Sequence, residues 1–132
     1  MSAPLDLNTK HLVLVVDDEP VVRRYAARVL VSAGYEVHEA GDGQQALDFL
    51  VARAGSVDAV VSDIVMPRLN GVELMESLSR SHPDLPVILM SGYGPAELAQ
   101  RGIAAPCALL GKPFPPETLI AEVQRCIREN AT

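Results

Sequence analysis

The apolar residues of this chain alternate between short unbroken runs and longer stretches spaced at three and four residues. That alternation restricts it to repeated strand–helix units around a parallel sheet. Residues 12–16 (LVLVV) are apolar on both faces, as a central strand covered on both sides must be. Pro20 suits a first helical turn, and Val22, Ala26, Val29 and Ala33 recur at helical spacing until Gly34 offers a left-handed stop. Residues 35–39 (YEVHE) alternate polar and apolar, which fits a half-exposed edge strand. Residues 44–54 follow as a helix with Ala46, Leu47, Leu50 and Val51 as its stripe. A third strand is read at 57–61, a helix at 72–81 through Val72, Met75 and Leu78, and a fourth strand at 87–90. Residues 96–101 allow at most two turns of a fourth helix. Residues 108–110 form a short fifth strand, and Pro116 opens a last helix with Leu119, Ile120, Val123 and Ile127 facing inward. The expected fold is α/β, a doubly wound five-stranded parallel sheet flanked by five helices.

A length of 132 residues, 48% hydrophobic and 21% charged, fits one domain. Residues 1–10 read as a polar extension and 11–130 as the domain, with no repeat or linker from which to build an output domain. The net charge of -6 argues against nucleic-acid binding by bulk charge. The longest apolar runs, 12–16 and 86–90, fall far short of the ~20 residues of a membrane helix, and residues 1–10 lack a signal-peptide core. No membrane partner and a cytoplasmic location are expected. Cys107 and Cys126 fall on a buried strand and a helix and are read as reduced core residues, ahead of a disulfide or a metal pair.

Ligands of an open parallel sheet bind at the carboxyl ends of the strands, where strand order reverses. Those ends run straight into polar groups here: Asp17-Asp18-Glu19 after the first strand, Asp63 after the third, Ser91 after the fourth and Lys112 after the fifth. Two carboxylates about 4 Å apart repel by about 4 kcal/mol at an effective dielectric near 20, so a cluster of three calls for a counter-charge. Oxygen ligands with no His or Cys nearby suit magnesium over zinc, with Asp17, Asp18 and Asp63 as candidate ligands. Such a site favours Asp63 as a nucleophile toward phosphorus. Lys112 and Ser91 supply the cation and hydroxyl that the remaining phosphoryl oxygens need, and the product is an aspartyl phosphate.

From 11 to 128 the chain resembles the receiver domain of two-component response regulators, a flavodoxin-like fold. Four motifs carry the resemblance, in order: VLVVDDEPVVRR at 13–24, SDIVMPRLNGVEL at 62–74, ILMSGY at 88–93 and LLGKPF at 109–114. The resemblance implies that Asp63 is the phosphoacceptor and that Asp17 and Asp18 line an acidic pocket. It also implies that Asp18, Asp63 and the backbone carbonyl of Val65 hold Mg2+, and that Ser91 and Lys112 grip the phosphoryl group. Lys112-Pro113 resembles the family's cis-proline corner, and Pro67 and Gly71 its loop into the third helix. The implied function is a stand-alone receiver that takes a phosphoryl group from a histidine kinase or histidine phosphotransfer protein and signals by protein contact or phosphorelay. It modifies itself and is not an enzyme with a free substrate.

Three departures bear on mechanism. The position three before the lysine, aromatic in members that switch by rotating a ring, is Leu109; the hydroxyl is Ser91 where many members have Thr; and Val65 and Tyr93 occupy the positions that modulate water access. A branched chain plus a ring implies slow self-dephosphorylation. Leu109 leaves a phosphorylation-independent pseudo-receiver as the alternative function. An aspartyl phosphatase lacks its second aspartate, because Val65 stands there, and no GK[ST] loop exists for P-loop chemistry. Asp63 as a cap for the turn at Asn70 is a weak alternative across seven residues. His11, His38 and His82 are assigned no role. Arg23, Arg24 and Arg28 read as the solvated face of the first helix or as a docking surface, and Val31, Tyr35 and the apolar face of the last helix as core.

Overall fold

Residues 10–53, 55–66, 69–92 and 106–130 are described by a computed structural model. Along the chain lie β1 (Leu12–Val16), α1 (Pro20–Ser32), β2 (Glu36–Ala40), α2 (Gly43–Ala52), β3 (Ala59–Asp63), α3 (Gly71–Ser81), β4 (Val87–Ser91), β5 (Ala108–Gly111) and α4 (Pro116–Asn130). All five strands are parallel, in the order β2-β1-β3-β4-β5, the doubly wound flavodoxin-like arrangement. Four helices are present among the described residues; the short helix expected at 96–101 lies outside them. β1 is an interior strand as expected, though β3 takes the middle position.

Period-two alternation in the strands divides the core into two layers. Val13, Val15, Val61, Ile88, Met90 and Leu110 point toward α1 and α4, meeting Ala26, Leu30, Leu119 and Val123. Leu14, Val16, Val60 and Leu89 point the other way, onto Ala46 and Leu50 of α2 and Val72, Leu74 and Leu78 of α3. Each helix needs only one stripe for this. Val51, placed on the α2 stripe by spacing, is 77% exposed, and Phe49 packs against the core in its place. Val31, expected in the core, is 57% exposed because α1 turns it outward near its end, whereas Tyr35 packs against the first layer.

Local chemistry sets the element ends. Gly34 has φ +100, the left-handed stop of α1. The Asp42 side chain accepts from the Gln45 amide at the start of α2. Asn70 and Glu73 form a reciprocal capping box at α3, with bonds of 2.8 and 3.0 Å, so Asn70 and not Asp63 is the cap. Among the described residues no helix is long and apolar enough to cross a membrane.

The expectation of reduced cysteines is overturned. Cys107 and Cys126 form a disulfide, their Cα atoms 6.1 Å apart across a sequence separation of 19. The strand-to-helix return brings the residue before β5 beside the inward face of α4, a proximity that sequence spacing does not encode.

Candidate functional site

Register brings the polar strand ends to one edge. Val16 pairs with Ala40 and Ser62, Asp63 with Met90, and Ser91 with Gly111, so β1, β3, β4 and β5 finish side by side. The order β2-β1-β3 places the reversal between β1 and β3, at Asp17 and Asp63. β3 runs two residues beyond its apolar segment, through Ser62 to Asp63, which makes Asp63 part of the rigid sheet.

Carboxylate oxygens of Asp17, Asp18 and Asp63 all lie within 4.8 Å of one another. Asp17 is fully buried, Asp63 is buried and Asp18 is exposed. Lys112 reaches in from just past β5, its Nζ 3.1 Å from Asp17 Oδ2 and 3.0 Å from Asp63 Oδ1. The Lys112 amide donates to the Ser91 carbonyl at 2.8 Å, which fixes the start of its loop, and the Lys112–Pro113 peptide is cis as the resemblance implied. Ser91 is 2% exposed at the end of β4. Val65, the expected carbonyl ligand, sits in the loop after β3 with its side chain exposed. Pro67 and Tyr93 lie outside the described residues.

Burial raises the Asp63 carboxyl above the ordinary carboxylate value; the hydrogen bond from Lys112 pulls it down, and the charges of Asp17 and Asp18 add to the rise. Burial draws the Lys112 ammonium down, but its hydrogen bonds to Asp63 and Asp17 and their charges outweigh this, leaving it raised. The pocket therefore holds excess negative charge around one lysine. Oxygen donors alone, three carboxylates on a partly open edge, fit a hard divalent cation.

Two neighbours of this pocket were not legible in the sequence. Arg23 donates through Nη1 to the Asp17 carbonyl at 3.0 Å and through Nε to Glu39 at 2.9 Å, clamping the β1–α1 turn. It is thus not merely a solvated residue, whereas Arg24 and Arg28 are exposed. Tyr25 donates its hydroxyl to the Phe114 carbonyl at 3.1 Å, tying α1 to the loop that carries Lys112. Both contacts bridge distant segments, 16 residues apart for Arg23–Glu39 and 89 for Tyr25–Phe114. The glycine that opens α3 also has a physical reason. A Cβ on Gly71 would stand 2.2 Å from the Asp63 carbonyl oxygen.

Residues 13–124 match the family described as the response regulator receiver domain. The chain belongs to that family. This receiver domain is 40% identical over 125 residues to the sensor kinase CckA of Brucella abortus, covering 94% of this chain and 13% of that protein. It is 37% identical over 137 residues to the C4-dicarboxylate transport transcriptional regulatory protein DctD of Pseudomonas aeruginosa, covering 98% of this chain and 29% of that one. The chain thus spans less than a third of these curated relatives. The structure of the chemotaxis protein CheY4 of Vibrio cholerae superimposes with a TM-score of 0.80 at 32% identity, over 89% of this chain and 99% of the other.

The receiver domain brings together five of the expected site residues, Asp17, Asp18, Asp63, Ser91 and Lys112, at one sheet edge. Leu109 packs against the second core layer and supplies no ring. None of the histidines is at this edge: His11 faces Asp58 at 3.5 Å, His38 stacks on Phe49 at 3.8 Å, and His82 ends α3.

Proposed function

We propose that this chain is a stand-alone receiver that accepts a phosphoryl group on Asp63 from a histidine kinase or histidine phosphotransfer protein. It signals through protein contacts or passes the group on. The observation that carries this reading is Lys112 Nζ lying 3.0 Å from Asp63 and 3.1 Å from Asp17. A cation held between two carboxylates is placed to follow one of them when it becomes an acyl phosphate.

In the reaction an Asp63 oxygen attacks phosphorus, the bond from phosphorus to the donor nitrogen breaks, and an aspartyl phosphate forms. Asp63 stays rigid because it ends a central strand. Lys112 moves its hydrogen bond from the carboxylate to a phosphoryl oxygen, and Ser91 donates its hydroxyl to another. Asp18, Asp63 and the Val65 carbonyl, backed by Asp17, would hold Mg2+. That ion, when bound, supplies charge neutralisation at the phosphoryl oxygens. The chain turns over no free substrate; it catalyses its own phosphorylation and dephosphorylation. The net charge of -6 supports a protein partner over nucleic acid. A cytoplasmic location belongs to the same reading, with no membrane partner.

The test is intact-mass spectrometry after incubation with acetyl phosphate and Mg2+. A gain of one phosphoryl mass, lost in the Asp63→Asn variant and without Mg2+, is expected. No gain in wild-type protein that folds and binds Mg2+ would overturn the reading in favour of a phosphorylation-independent interaction module.

A further inference from the structure

The Cys107–Cys126 disulfide is a reactive group that the acidic pocket does not use. Cys126 is 1% exposed on the inward face of α4, while Cys107, just before β5, is half-buried. Both residues line an open groove of about 500 Å³ along α3, a path by which a small thiol can approach the pair. The Cys107 amide donates to the Val87 carbonyl at 2.8 Å, and its carbonyl accepts from Arg125 Nη2 at 2.9 Å. These contacts hold Cys107 beside its partner whether or not the sulfurs are joined.

We propose that Cys107 and Cys126 form a reversible thiol–disulfide site whose co-reactant is a low-molecular-weight thiol and its disulfide. Closure joins the two Sγ atoms. Each cysteine gives up a proton, and two electrons pass to the small disulfide, whose S–S bond breaks into two thiols; opening is the reverse.

Two features make both states accessible. β5 is four residues long and lies at the sheet edge, paired among the described residues with β4 alone, so opening needs no rupture of the central ladder. In the open state both cysteines remain apolar residues packed with the core layer of α1 and α4, as small buried hydrophobes do. The closed state pins the entry of β5 to α4. Lys112 follows five residues later, just past the other end of β5, so the bond acts on the segment that delivers the pocket's cation.

The full chain, without denaturant, is equilibrated across ratios of reduced to oxidised glutathione, quenched with N-ethylmaleimide and weighed intact. The expected result is a single transition in which two labels appear together on a monomer. The β5 amides of Leu109 and Leu110 are expected to exchange hydrogen at least tenfold faster in the open form. The Cys107→Ser/Cys126→Ala double variant should match the open form, which separates loss of the bond from any effect of glutathione itself. Three outcomes would overturn the proposal: a bond that opens only when denaturant is added, thiols that stay labelled under excess oxidised glutathione, or equal β5 exchange in both forms. None of these readouts depends on phosphorylation.

Discussion

Replacing Asp63 with Asn should stabilise the metal-free protein, although it removes the group on which the proposed chemistry depends. Lys112 Nζ lies 3.0 Å from Asp63 Oδ1, an attraction of about 5.5 kcal/mol at an effective dielectric of 20. Against it stands the buried Asp17 within 4.8 Å, a repulsion of at least about 3.5 kcal/mol on the same scale. Asp18, exposed and screened as in water, adds about 1 kcal/mol. The ionic terms thus nearly cancel, and the desolvation of a buried carboxylate, several kcal/mol, is left without compensation. This agrees in sign with the raised Asp63 value, of which burial is the largest cause. A neutral amide of the same shape avoids most of that cost, so we expect a net gain of roughly 1–3 kcal/mol at neutral pH, a rise in melting temperature of roughly 4–12 °C. The pH dependence follows from the same shift. A carboxyl raised in the folded state keeps its proton longer there, so wild-type protein loses stability as the pH climbs from the ordinary carboxylate value through the raised one. The Asp63→Asn variant lacks that loss. Melting of both proteins in EDTA between pH 4 and pH 8 should therefore show curves that meet in acid and separate toward neutrality. A variant no more stable than wild type at neutral pH would refute the charge balance drawn here.

Lys112→Met removes the shared cation from two buried carboxylates, a loss of about 3–5 kcal/mol for a broken buried pair, lessened where Asp63 takes up a proton; urea unfolding should show the deficit large near neutrality and shrinking toward acid. Gly71→Ala forces a methyl against the Asp63 carbonyl and should cost about 1–3 kcal/mol, whereas Gly92→Ala, with nothing within 4 Å among the described residues, should change unfolding by no more than about 0.5 kcal/mol. Arg23→Met frees the Asp17 carbonyl and should weaken Mg2+ binding about tenfold by calorimetry, as loss of an outer-shell support does, while Arg23→Lys recovers part of it. Unchanged Mg2+ affinity in Arg23→Met would show that the clamp does not shape the pocket.

The sequence alone set the number of strands and their succession along the chain, though not their order in the sheet, because a strand covered on both faces must be apolar throughout, as 12–16 and 87–90 are. It also determined the chemistry of the strand ends, since Asp17, Asp63, Ser91 and Lys112 each break an apolar run with a polar group. Their convergence then followed from parallel topology alone. Helix faces were legible where spacing left one solution, as in α3, and not where two stripes competed, as at Phe49 and Val51 of α2. Element ends slid by a residue or two, because Asp63 continues its ladder with hydrogen bonds that hydropathy does not register. What crosses between distant segments came from the packing of the folded chain. Examples are Arg23 on the Asp17 carbonyl, Tyr25 on Phe114, the Asp63 carbonyl against Gly71, and Cys107 joined to Cys126. Each depends on how far a helix turns and where a loop returns. Those quantities are fixed by packing of the whole core, and periodicity within one segment carries no trace of them.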